Sequence, residues 1–181
     1  LTFNPSPVFR DLPELAQQHT KILIRAANRV GKTRHCAWIV AKRMVEQPGS
    51  RVRVIGPTNK HCQTILGKYL AEFLAPYLTS KSYYVEGRGW NGGRSKVITL
   101  RNGSVCELLS LEDKPDAHSG ASCHLIVFDE PPSLAHFTEN VARLMDTSGT
   151  VIVAATMVNR PVRWLREMVQ GTDGDAPPGV T

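Results

Sequence analysis

The sequence predicts a three-layer α/β domain with a mainly parallel central sheet and an antiparallel hairpin addition. Apolar runs suited to buried strands alternate with helical patterns, and this alternation is typical of parallel strands joined by right-handed crossovers. A tight-turn signal, Asn102-Gly103 between two apolar runs, adds one hairpin to that pattern. The 181 residues suit one such domain, which buries about 70% of the surface of the extended chain.

The first predicted strand leads into a loop suited to phosphate binding. The apolar run 22–24 precedes the segment Arg-Ala-Ala-Asn-Arg-Val-Gly-Lys-Thr at 25–33, and a helical pattern follows at 35–47. In a strand, loop and helix of this kind, backbone N–H groups and the helix N-terminus hold a polyphosphate. The predicted nucleotide-binding residues are Ala26, Ala27, Asn28, Arg29, Val30, Gly31, Lys32 and Thr33.

Two side chains of this loop have expected roles of their own. Lys32 supplies a charge to the β- and γ-phosphates, and Thr33 supplies a hydroxyl ligand for Mg²⁺. The spacing fits the pattern G-x-x-x-x-G-K-[ST], except that its first position, residue 26, is alanine. Taken alone, Gly-Lys-Thr is also explained by a solvated lysine at a helix start, so the interpretation depends on motifs further along the chain.

The segment before the first strand is a predicted N-terminal arm, residues 1–20. Its prolines limit regular structure, and we expect at most a short helix at 12–19. Gln17 or Gln18 lies just upstream of the first strand, where many nucleotide motors place a glutamine that reads the adenine edge. The alternative is a solvated helix glutamine.

The middle of the chain continues the alternation. A second strand is predicted at 51–57 and a long helix at 59–78. The stretch 87–94 has four glycines beside two arginines and a tryptophan, which predicts a mobile basic loop, either touching a phosphate backbone or serving as an ordinary connection. The inner side of the long helix is expected to contain Ile65, Leu66, Tyr69, Leu70, Phe73 and Leu74.

The hairpin is predicted at 96–109, with the two central positions of its turn, Asn102 and Gly103, at positive φ. We expect the hairpin to join the sheet as its antiparallel addition.

The apolar run 125–128 ends in two carboxylates, Asp129 and Glu130. At the carboxyl end of a strand, Asp129 is suited to hold Mg²⁺ beside Thr33. Glu130 is suited to take a proton from an attacking water, a role typically worth about 10²–10⁴ in rate. Alone, a strand ending in Asp-Glu is usually a solvated turn. Behind a phosphate loop, the pair instead indicates an ATP-hydrolysing enzyme with ATP and Mg²⁺ as cofactors.

A predicted helix at 137–145 precedes another apolar run, 151–155, which ends in Thr156. In motors of this class a polar side chain at that strand tip lies beside the γ-phosphate. A helix cap is the simpler interpretation for a single threonine. The order of the three strand tips along the chain favours the motor.

The charge and the cysteine content further limit the kinds of partner and of metal site that this chain can have. The 22 basic and 16 acidic residues give a net charge of +6, which favours polyanionic partners or simply a soluble basic surface. No apolar run approaches the roughly 20 residues of a membrane span, and the start of the sequence lacks a signal-peptide pattern. Free thiols in a reducing compartment are expected rather than a zinc site, because no C-x-x-C pair occurs among Cys36, Cys62, Cys106 and Cys123.

Together these motifs resemble the ATPase domain of a tailed-bacteriophage terminase large subunit, the motor that packages DNA into a procapsid. The matching pieces are the loop 28–33 with its internal arginine, the Asn-Gly-Ser turn at 102–104, the strand 125–130 with Pro131 following it, and the strand tip 154–156. The resemblance implies a P-loop NTPase fold of the ASCE type.

The resemblance also implies roles for individual residues. Arg29 contacts the γ-phosphate in cis, and Thr156 couples hydrolysis to movement, so that the catalytic set is Glu130, Arg29, Lys32 and Thr156. A neighbouring subunit in a ring contributes a trans basic residue as well. Many relatives have an arginine-glycine pair shortly before the second motif, and here Ser119-Gly120 stands there. The remaining candidates for the trans residue are Arg88, Arg94, Arg101 and Arg143.

The expected function is ATP hydrolysis coupled to translocation of double-stranded DNA into a procapsid. The resemblance implies a homo-oligomeric ring on a portal, a small terminase subunit as partner, no membrane, and location in the host cytoplasm with transient docking on the procapsid. Two alternatives remain: a helicase-like nucleic-acid translocase, and a nucleotide-gated module that binds DNA or a scaffold with little turnover.

The expected domain organisation is the arm at 1–20, the ATPase domain at 21–170 and the segment 171–181. That last segment is either a flexible tail or the start of a linker to a nuclease domain. The family's nuclease half needs a cluster of acidic residues on a further domain. We find no such cluster in this sequence, so we do not expect this chain to cut DNA.

Overall fold

The computed structural model describes residues 3–27, 29–156 and 164–165. It has six strands in a central sheet and two short strands in a separate hairpin. The strands are β1 Lys21–Ala26, β2 Arg51–Gly56, β3 Tyr84–Val85, β4 Gly89–Trp90, β5 Val97–Thr99, β6 Val105–Ser110, β7 Leu125–Phe128 and β8 Thr150–Thr156. The α-helices are α1 Leu12–Gln18, α2 Lys32–Glu46, α3 Asn59–His61, α4 Gly67–Leu74 and α5 Leu134–Ala142.

The central sheet has the order β1-β8-β7-β2-β6-β5. All neighbouring pairs are parallel except β5 with β6. Strand β8 therefore separates β1 from β7, and the parallel strands end together along one side of the sheet, here called the carboxyl edge. The opposite side, where those strands begin, is the amino edge. The predicted parallel sheet with an antiparallel addition is confirmed.

Helices cover both faces of the sheet. Side chains of α2 and α4 pack with Val54, Val127 and Ile152 in one buried cluster. Phe137 of α5 packs with Phe128 and neighbouring strand residues in a second cluster. Because successive strand side chains point to opposite faces, the apolar strands supply both clusters. The three-layer arrangement is thus confirmed.

Helix α2 begins at Lys32 rather than at the predicted residue 35. Residues 35–41 and Met44 of this helix are buried, which covers more than one of its faces, and Cys36, Val40 and Met44 have no exposed surface. Lys32 and Thr33 consequently belong to the first helical turn and not to the loop before it. Their side chains are placed by helix geometry, which fixes them more tightly than a loop could.

The long helix after β2 is interrupted. Between α3 and α4 the segment Cys62–Leu66 forms a π-helical turn, and such turns are frequent at functional sites. Ile65 lies on this turn with 45% of its surface exposed, so its predicted place on the inner side is wrong. Leu66, Leu70, Phe73 and Leu74 are buried as expected.

The turn between β5 and β6 differs in detail from the prediction. Gly103 has φ +85°, whereas Asn102 does not have a positive φ. The N–H of Gly103 donates to Leu100 O at 3.1 Å, and the N–H of Leu100 donates to Ser104 O at 2.9 Å. This is a longer loop with one left-handed glycine, not a two-residue turn. Strand β6 itself pairs in parallel with β2, so only β5 is the antiparallel addition.

The stretch 87–94, predicted as a mobile loop, is ordered instead. It contains β4 and pairs with β3, and Trp90 has no exposed surface. Several residues at positive φ allow the chain to fold this tightly without a long strand.

The described part of the N-terminal arm packs onto the domain. Phe9 stacks on the His35 ring with centroids 4.1 Å apart, and Leu12 of α1 is buried. The predicted short helix is present at 12–18. The segment 171–181 lies outside the described residues, and the division of the chain at 20 and 170 stays a prediction.

Candidate functional site

The phosphate-loop motif lies between the carboxyl end of β1 and the start of α2. Strand β1 ends at Ala26, so this residue belongs to the strand rather than to the loop. Arg29 has φ +64° and Gly31 has φ +85°. Left-handed residues in such a loop turn consecutive N–H groups toward one concavity, which suits an anion. Val30 is exposed beside them, and Asn28 lies outside the described residues.

Lys32 lies at the first position of α2 and folds over the loop. Its Nζ donates to Ala26 O at 3.1 Å and to Ala27 O at 2.7 Å. The ammonium therefore stays at the helix N-terminus, where phosphate oxygens are also stabilised. Two carbonyl acceptors can be exchanged for phosphate oxygens without moving the helix.

Thr33 and Asp129 meet, although 96 positions separate them in the sequence. Thr33 Oγ1 donates to Asp129 Oδ2 at 2.9 Å. Asp129 follows β7 and is only 5% exposed, and its N–H donates to Ile55 O at 2.9 Å, which fixes the strand end. One hydroxyl and one carboxylate oxygen side by side are hard ligands that fit Mg²⁺ when phosphate and water supply the rest.

A third side chain, His61, joins this pair. His61 Nε2 donates to the same Oδ2 of Asp129 at 2.8 Å. Thr58 caps the N-terminus of α3, because its Oγ1 accepts from the N–H of His61 at 3.0 Å, and this holds the histidine in place. No motif in the sequence predicted His61; the only signal is its position soon after the end of β2, which does not separate it from its neighbours.

Glu130 is half-buried next to Asp129. Burial first, and then the negative charge of Asp129, raise the pKa of the Glu130 carboxyl above its usual range, while Lys32 and His61 act in the opposite direction. A carboxylate with a raised pKa accepts a proton more readily than an ordinary one. The chemistry of this position suits a general base.

Thr156 is the last residue of β8 and pairs in register with Ala26 of β1. The structure therefore places Thr156 beside the beginning of the phosphate loop. The residues predicted as catalytic or metal-binding all lie at the carboxyl edge: Thr156 ends β8, Asp129 and Glu130 follow β7, Arg29 is in the loop, and Lys32 and Thr33 are on the first turn of α2. What each of them does there stays a prediction.

Gln17 and Gln18 lie elsewhere, and the suggestion that one of them reads the adenine is wrong. They end α1, and Ala16 O accepts from Thr150 Oγ1 at 2.8 Å at the start of β8. That is the amino edge, separated from the phosphate loop by the six residues of β1, a length of about 20 Å.

The four arginine candidates for a trans residue fall into two groups. Arg143 donates to Gly120 O and Arg101 donates to Pro76 O, and both lie toward the amino edge. Arg88 and Arg94 lie on the β3–β4 hairpin and are exposed. Ser119, which stands where relatives have arginine, is exposed, and its N–H donates to Asp116 O at 3.0 Å.

His35 is a second residue that the sequence analysis missed. Its Nδ1 donates to Gly31 O at 2.8 Å, and its Nε2 accepts from the N–H of Ser6 at 3.1 Å. The imidazole thus ties the N-terminal segment to the phosphate loop. No pattern in the sequence pointed to it, because Ser6 is 29 positions away.

Comparison with known proteins agrees with this geometry. A family model described as the N-terminal part of the terminase large subunit, T4-like-virus type, matches residues 23–175. The large terminase ATPase domain of Thermus phage P74-26 is 15% identical, with 93% of this chain and 75% of that chain covered and a TM-score of 0.64. No curated protein matches significantly.

Two further solved structures are similar. The large terminase of another thermophilic bacteriophage is 14% identical, with 84% of this chain and 39% of that chain covered and a TM-score of 0.62. The same terminase has also been crystallised with ADP and with ATP-γ-S. The N-terminal domain of the DNA packaging ATPase of bacteriophage phi29 is 16% identical, with 91% of this chain and 88% of that chain covered and a TM-score of 0.56.

At these identities the structural likeness establishes the fold, and it confirms the P-loop type predicted from the sequence. The family model covers most of the chain, from within β1 to beyond β8. This chain belongs to the family of N-terminal domains of terminase large subunits, T4-like-virus type.

Proposed function

We propose that this chain hydrolyses ATP to ADP and phosphate and uses the reaction to drive double-stranded DNA into a viral procapsid. The observation that supports this most directly is the contact of Thr33 with Asp129 at 2.9 Å, at the end of a phosphate loop. Family membership supplies the biological setting.

Nucleotide binding is assigned to the loop and the first turn of α2. Backbone N–H groups around Gly31 and the helix N-terminus face the phosphates, and the Lys32 ammonium exchanges its carbonyl partners for β- and γ-phosphate oxygens. Thr33 and Asp129 are the residues that hold Mg²⁺. When bound, Mg²⁺ neutralises negative charge on the β- and γ-phosphate oxygens.

Hydrolysis is assigned to Glu130. Its carboxylate takes a proton from the water that attacks the γ-phosphorus, while the bond from that phosphorus to the bridging oxygen of ADP breaks. The raised pKa of Glu130 favours this proton transfer. Arg29 in the loop is assigned to the γ-phosphate in cis, and Thr156 to the coupling of hydrolysis to movement.

The partners proposed for this activity are double-stranded DNA, further copies of the chain in a ring on a portal, and a small terminase subunit. The ring assembles in the host cytoplasm and docks transiently on the procapsid. Within the residues that the structure describes, no helix has the length and apolar character needed to cross a membrane.

The test is the variant Glu130→Gln. We expect it to bind ATP with near wild-type affinity while turnover falls at least about 100-fold, because the proton acceptor is lost and the shape is kept. The matched control is Glu14→Gln, an exposed glutamate on α1 at the amino edge, which should hydrolyse ATP at the wild-type rate.

The two other functions predict different outcomes. A nucleotide-gated binding module keeps its full behaviour in Glu130→Gln, so unchanged DNA or scaffold binding, together with negligible wild-type turnover even at concentrations at which the chains associate, would contradict the motor. A helicase-like translocase separates strands in an unwinding assay. A motor for duplex DNA gives ATP turnover without strand separation.

A further inference from the structure

Residues 81–96, here called the basic hairpin, form an ordered surface element that contains β3 and β4. The segment contains four basic residues and a single acidic one, Glu86. Glu86 is already paired with Lys68 at 3.1 Å, and Lys96 with Asp113 at 3.2 Å. Among the residues that the structure describes, the three other basic side chains of the hairpin have no ion-pair partner and all are exposed: Lys81, Arg88 and Arg94.

The backbone of the basic hairpin is cross-braced. The N–H of Asn91 donates to Tyr83 O at 2.7 Å, and the N–H of Tyr83 donates to Asn91 Oδ1 at 3.1 Å. Asn91 Nδ2 also donates to Val97 O at 3.1 Å, at the start of β5. An element that is ordered before it meets its partner loses less conformational entropy on binding than a mobile loop would.

Trp90 and Tyr84 anchor the hairpin to the long helix. The N–H of Trp90 donates to Gln63 Oε1 at 2.9 Å, and the indole Nε1 donates to Gly67 O at 3.2 Å. The Tyr84 hydroxyl donates to Thr64 O at 3.3 Å. These acceptors lie on or next to the π-helical turn, so the hairpin packs against an irregular part of the helix.

This anchor places the β3–β4 part of the basic hairpin toward the carboxyl edge. Gln63 is two residues after His61, which contacts Asp129 at 2.8 Å. At the other end of the hairpin, Lys96 O accepts from the N–H of Leu108 at 2.8 Å, near the carboxyl end of β6. Arg88 and Arg94 therefore lie on the same side of the sheet as the nucleotide site, whereas Lys81 lies toward the amino edge, next to Ser82, whose Oγ accepts from the N–H of Thr99.

We propose that the basic hairpin binds the phosphate backbone of duplex DNA. The inference rests on the proposed function and names where the DNA is held. Arg88 and Arg94, two unpaired cations on one rigid element, with Lys81 further along it, match a row of phosphates better than a single γ-phosphate. Tyr83, 50% exposed on the same element, adds a phenolic hydroxyl that can donate to a phosphate oxygen.

The experiment compares two double variants by the salt dependence of binding to a short fluorescent duplex. Arg88→Ala with Arg94→Ala removes two hairpin cations. Lys21→Ala with Lys42→Ala removes the same charge from the start of β1 and the far part of α2, at the amino edge. All four side chains lie outside the nucleotide site, so ATP binding should be unchanged in both variants.

We expect the hairpin variant to bind DNA more weakly and to reduce the slope of log K against log salt by about 1.8, since each phosphate contact contributes about 0.9. The control variant should keep the wild-type slope. Equal slopes in the hairpin variant and the wild type, or an equal reduction in both variants, would overturn the proposal.

A third variant, Gln63→Ala, tests the anchor without changing charge. It removes the acceptor of the Trp90 N–H, and we expect weaker DNA binding although every hairpin cation is present. Unchanged DNA binding in this variant, together with an unchanged slope in the arginine variant, excludes the hairpin.

The outcomes separate this inference from the proposed function. If the wild type and the arginine variant bind DNA equally tightly, the proposal for the basic hairpin is contradicted, whereas the proposed motor function is not. A wild-type chain that binds no DNA contradicts both. If DNA binding persists in the arginine variant while its ATPase rate no longer rises with protein concentration, the arginines act on a neighbouring subunit's nucleotide, and the proposal fails.

Discussion

One carboxylate oxygen is the meeting point of the site. Asp129 Oδ2 accepts from Thr33 at 2.9 Å and from His61 at 2.8 Å, in a position that is 5% exposed. A buried carboxylate needs such partners, because unpaired burial of its charge is costly. The same two donors fix the orientation of the carboxylate. His61 is thus part of the support for Asp129 as well as a neighbour of Glu130.

The first prediction concerns Thr33. Thr33→Ala should weaken Mg²⁺-dependent ATP binding by about tenfold or more, because it removes both a metal ligand and a donor to Asp129. Thr33→Ser keeps the hydroxyl and should retain most of the affinity. The measurement is ATP affinity with and without Mg²⁺, by fluorescence titration.

In the absence of Mg²⁺, Thr33→Ala should bind ATP nearly as the wild type does, since Lys32 and the loop are intact. An equal loss of affinity with and without the metal would show that Thr33 supports the helix start rather than the metal.

The sequence was most informative where a residue type is tied to a strand end. Asp129, Glu130 and Thr156 could be found because each follows or ends an apolar run, and Thr33 because it completes the Gly-Lys-Thr motif. His61 could not be separated from its neighbour Cys62, since a helix start after β2 has no fixed length. The adenine suggestion for Gln17 failed because sequence distance from β1 does not say on which edge α1 lies.

Among the elements, β2, β6 and α5 are tied together by a buried polar network. Arg53 of β2 is 1% exposed, and its Nη2 donates to Glu107 Oε2 at 2.7 Å. Its Nη1 donates to Asn140 Oδ1 at 2.9 Å and to His118 O at 2.6 Å. Every contact crosses from one element to another. The network therefore fixes the side of the sheet that α5 covers.

The second prediction follows from this burial. Arg53→Met should lower the free energy of unfolding by about 3 kcal/mol, because Glu107 and the Asn140 amide lose their partner while mostly buried. Urea unfolding followed by circular dichroism measures the change. Lys42→Met, at an exposed i,i+4 pair on α2, is the matched control and should change stability by less than about 0.5 kcal/mol. Similar losses in both variants would contradict the network's role.

The third prediction concerns pH. Asn140 Nδ2 donates to His118 Nδ1 at 3.0 Å, and His118 Nε2 donates to Ser110 O at 3.1 Å, so the ring is neutral. Burial, above all, lowers the pKa of His118 below its usual 6.5. A histidine pKa that is lowered in the folded state means that, as pH falls, the unfolded chain takes up the proton before the folded chain does. Stability should therefore be complete above pH 6.5 and decline as pH falls below it.

Urea midpoints measured at several pH values between about 7.5 and about 5 test this, since ordinary carboxylates titrate lower. In His118→Gln the decline over that range should be smaller, because the group that takes up the proton is gone. A wild-type midpoint that stays constant to about pH 5 would contradict the prediction.

At the scale of elements, the buried strands were predictable from apolar runs alone, because both faces of the parallel strands are covered. The basic hairpin was not. Its fold depends on glycines at positive φ and on a tryptophan that packs against a π-helical turn. At Gly89, for example, a Cβ would lie 2.3 Å from Gln63 Oε1. Composition shows only that the stretch is rich in glycine and arginine, and such stretches are more often mobile.

Across the whole molecule, the two edges of the sheet have different characters. The carboxyl edge gathers the phosphate loop, the carboxylates and the basic hairpin. The amino edge holds the end of α1, the β5–β6 turn and Arg143, all engaged in contacts within the chain. No single motif predicts the order β1-β8-β7, which brings the three predicted strand tips together along the carboxyl edge.

The last prediction concerns assembly. Arg101 and Arg143 bond within their own subunit, and serine stands at the position where relatives have arginine, so among the described residues none of these three positions supplies a second arginine to the chain's own γ-phosphate. An arginine supplied in trans is worth about 10³–10⁵ in rate. The ATPase rate per subunit should therefore be feeble in dilute solution and rise steeply with protein concentration. ATP affinity should hardly change, because the loop and Lys32 belong to one chain.

A rate per subunit that is constant over the range in which light scattering shows association would contradict a shared site. Mixing in Glu130→Gln subunits supplies the control, since they offer the trans residue without turnover of their own and should stimulate dilute wild-type chains.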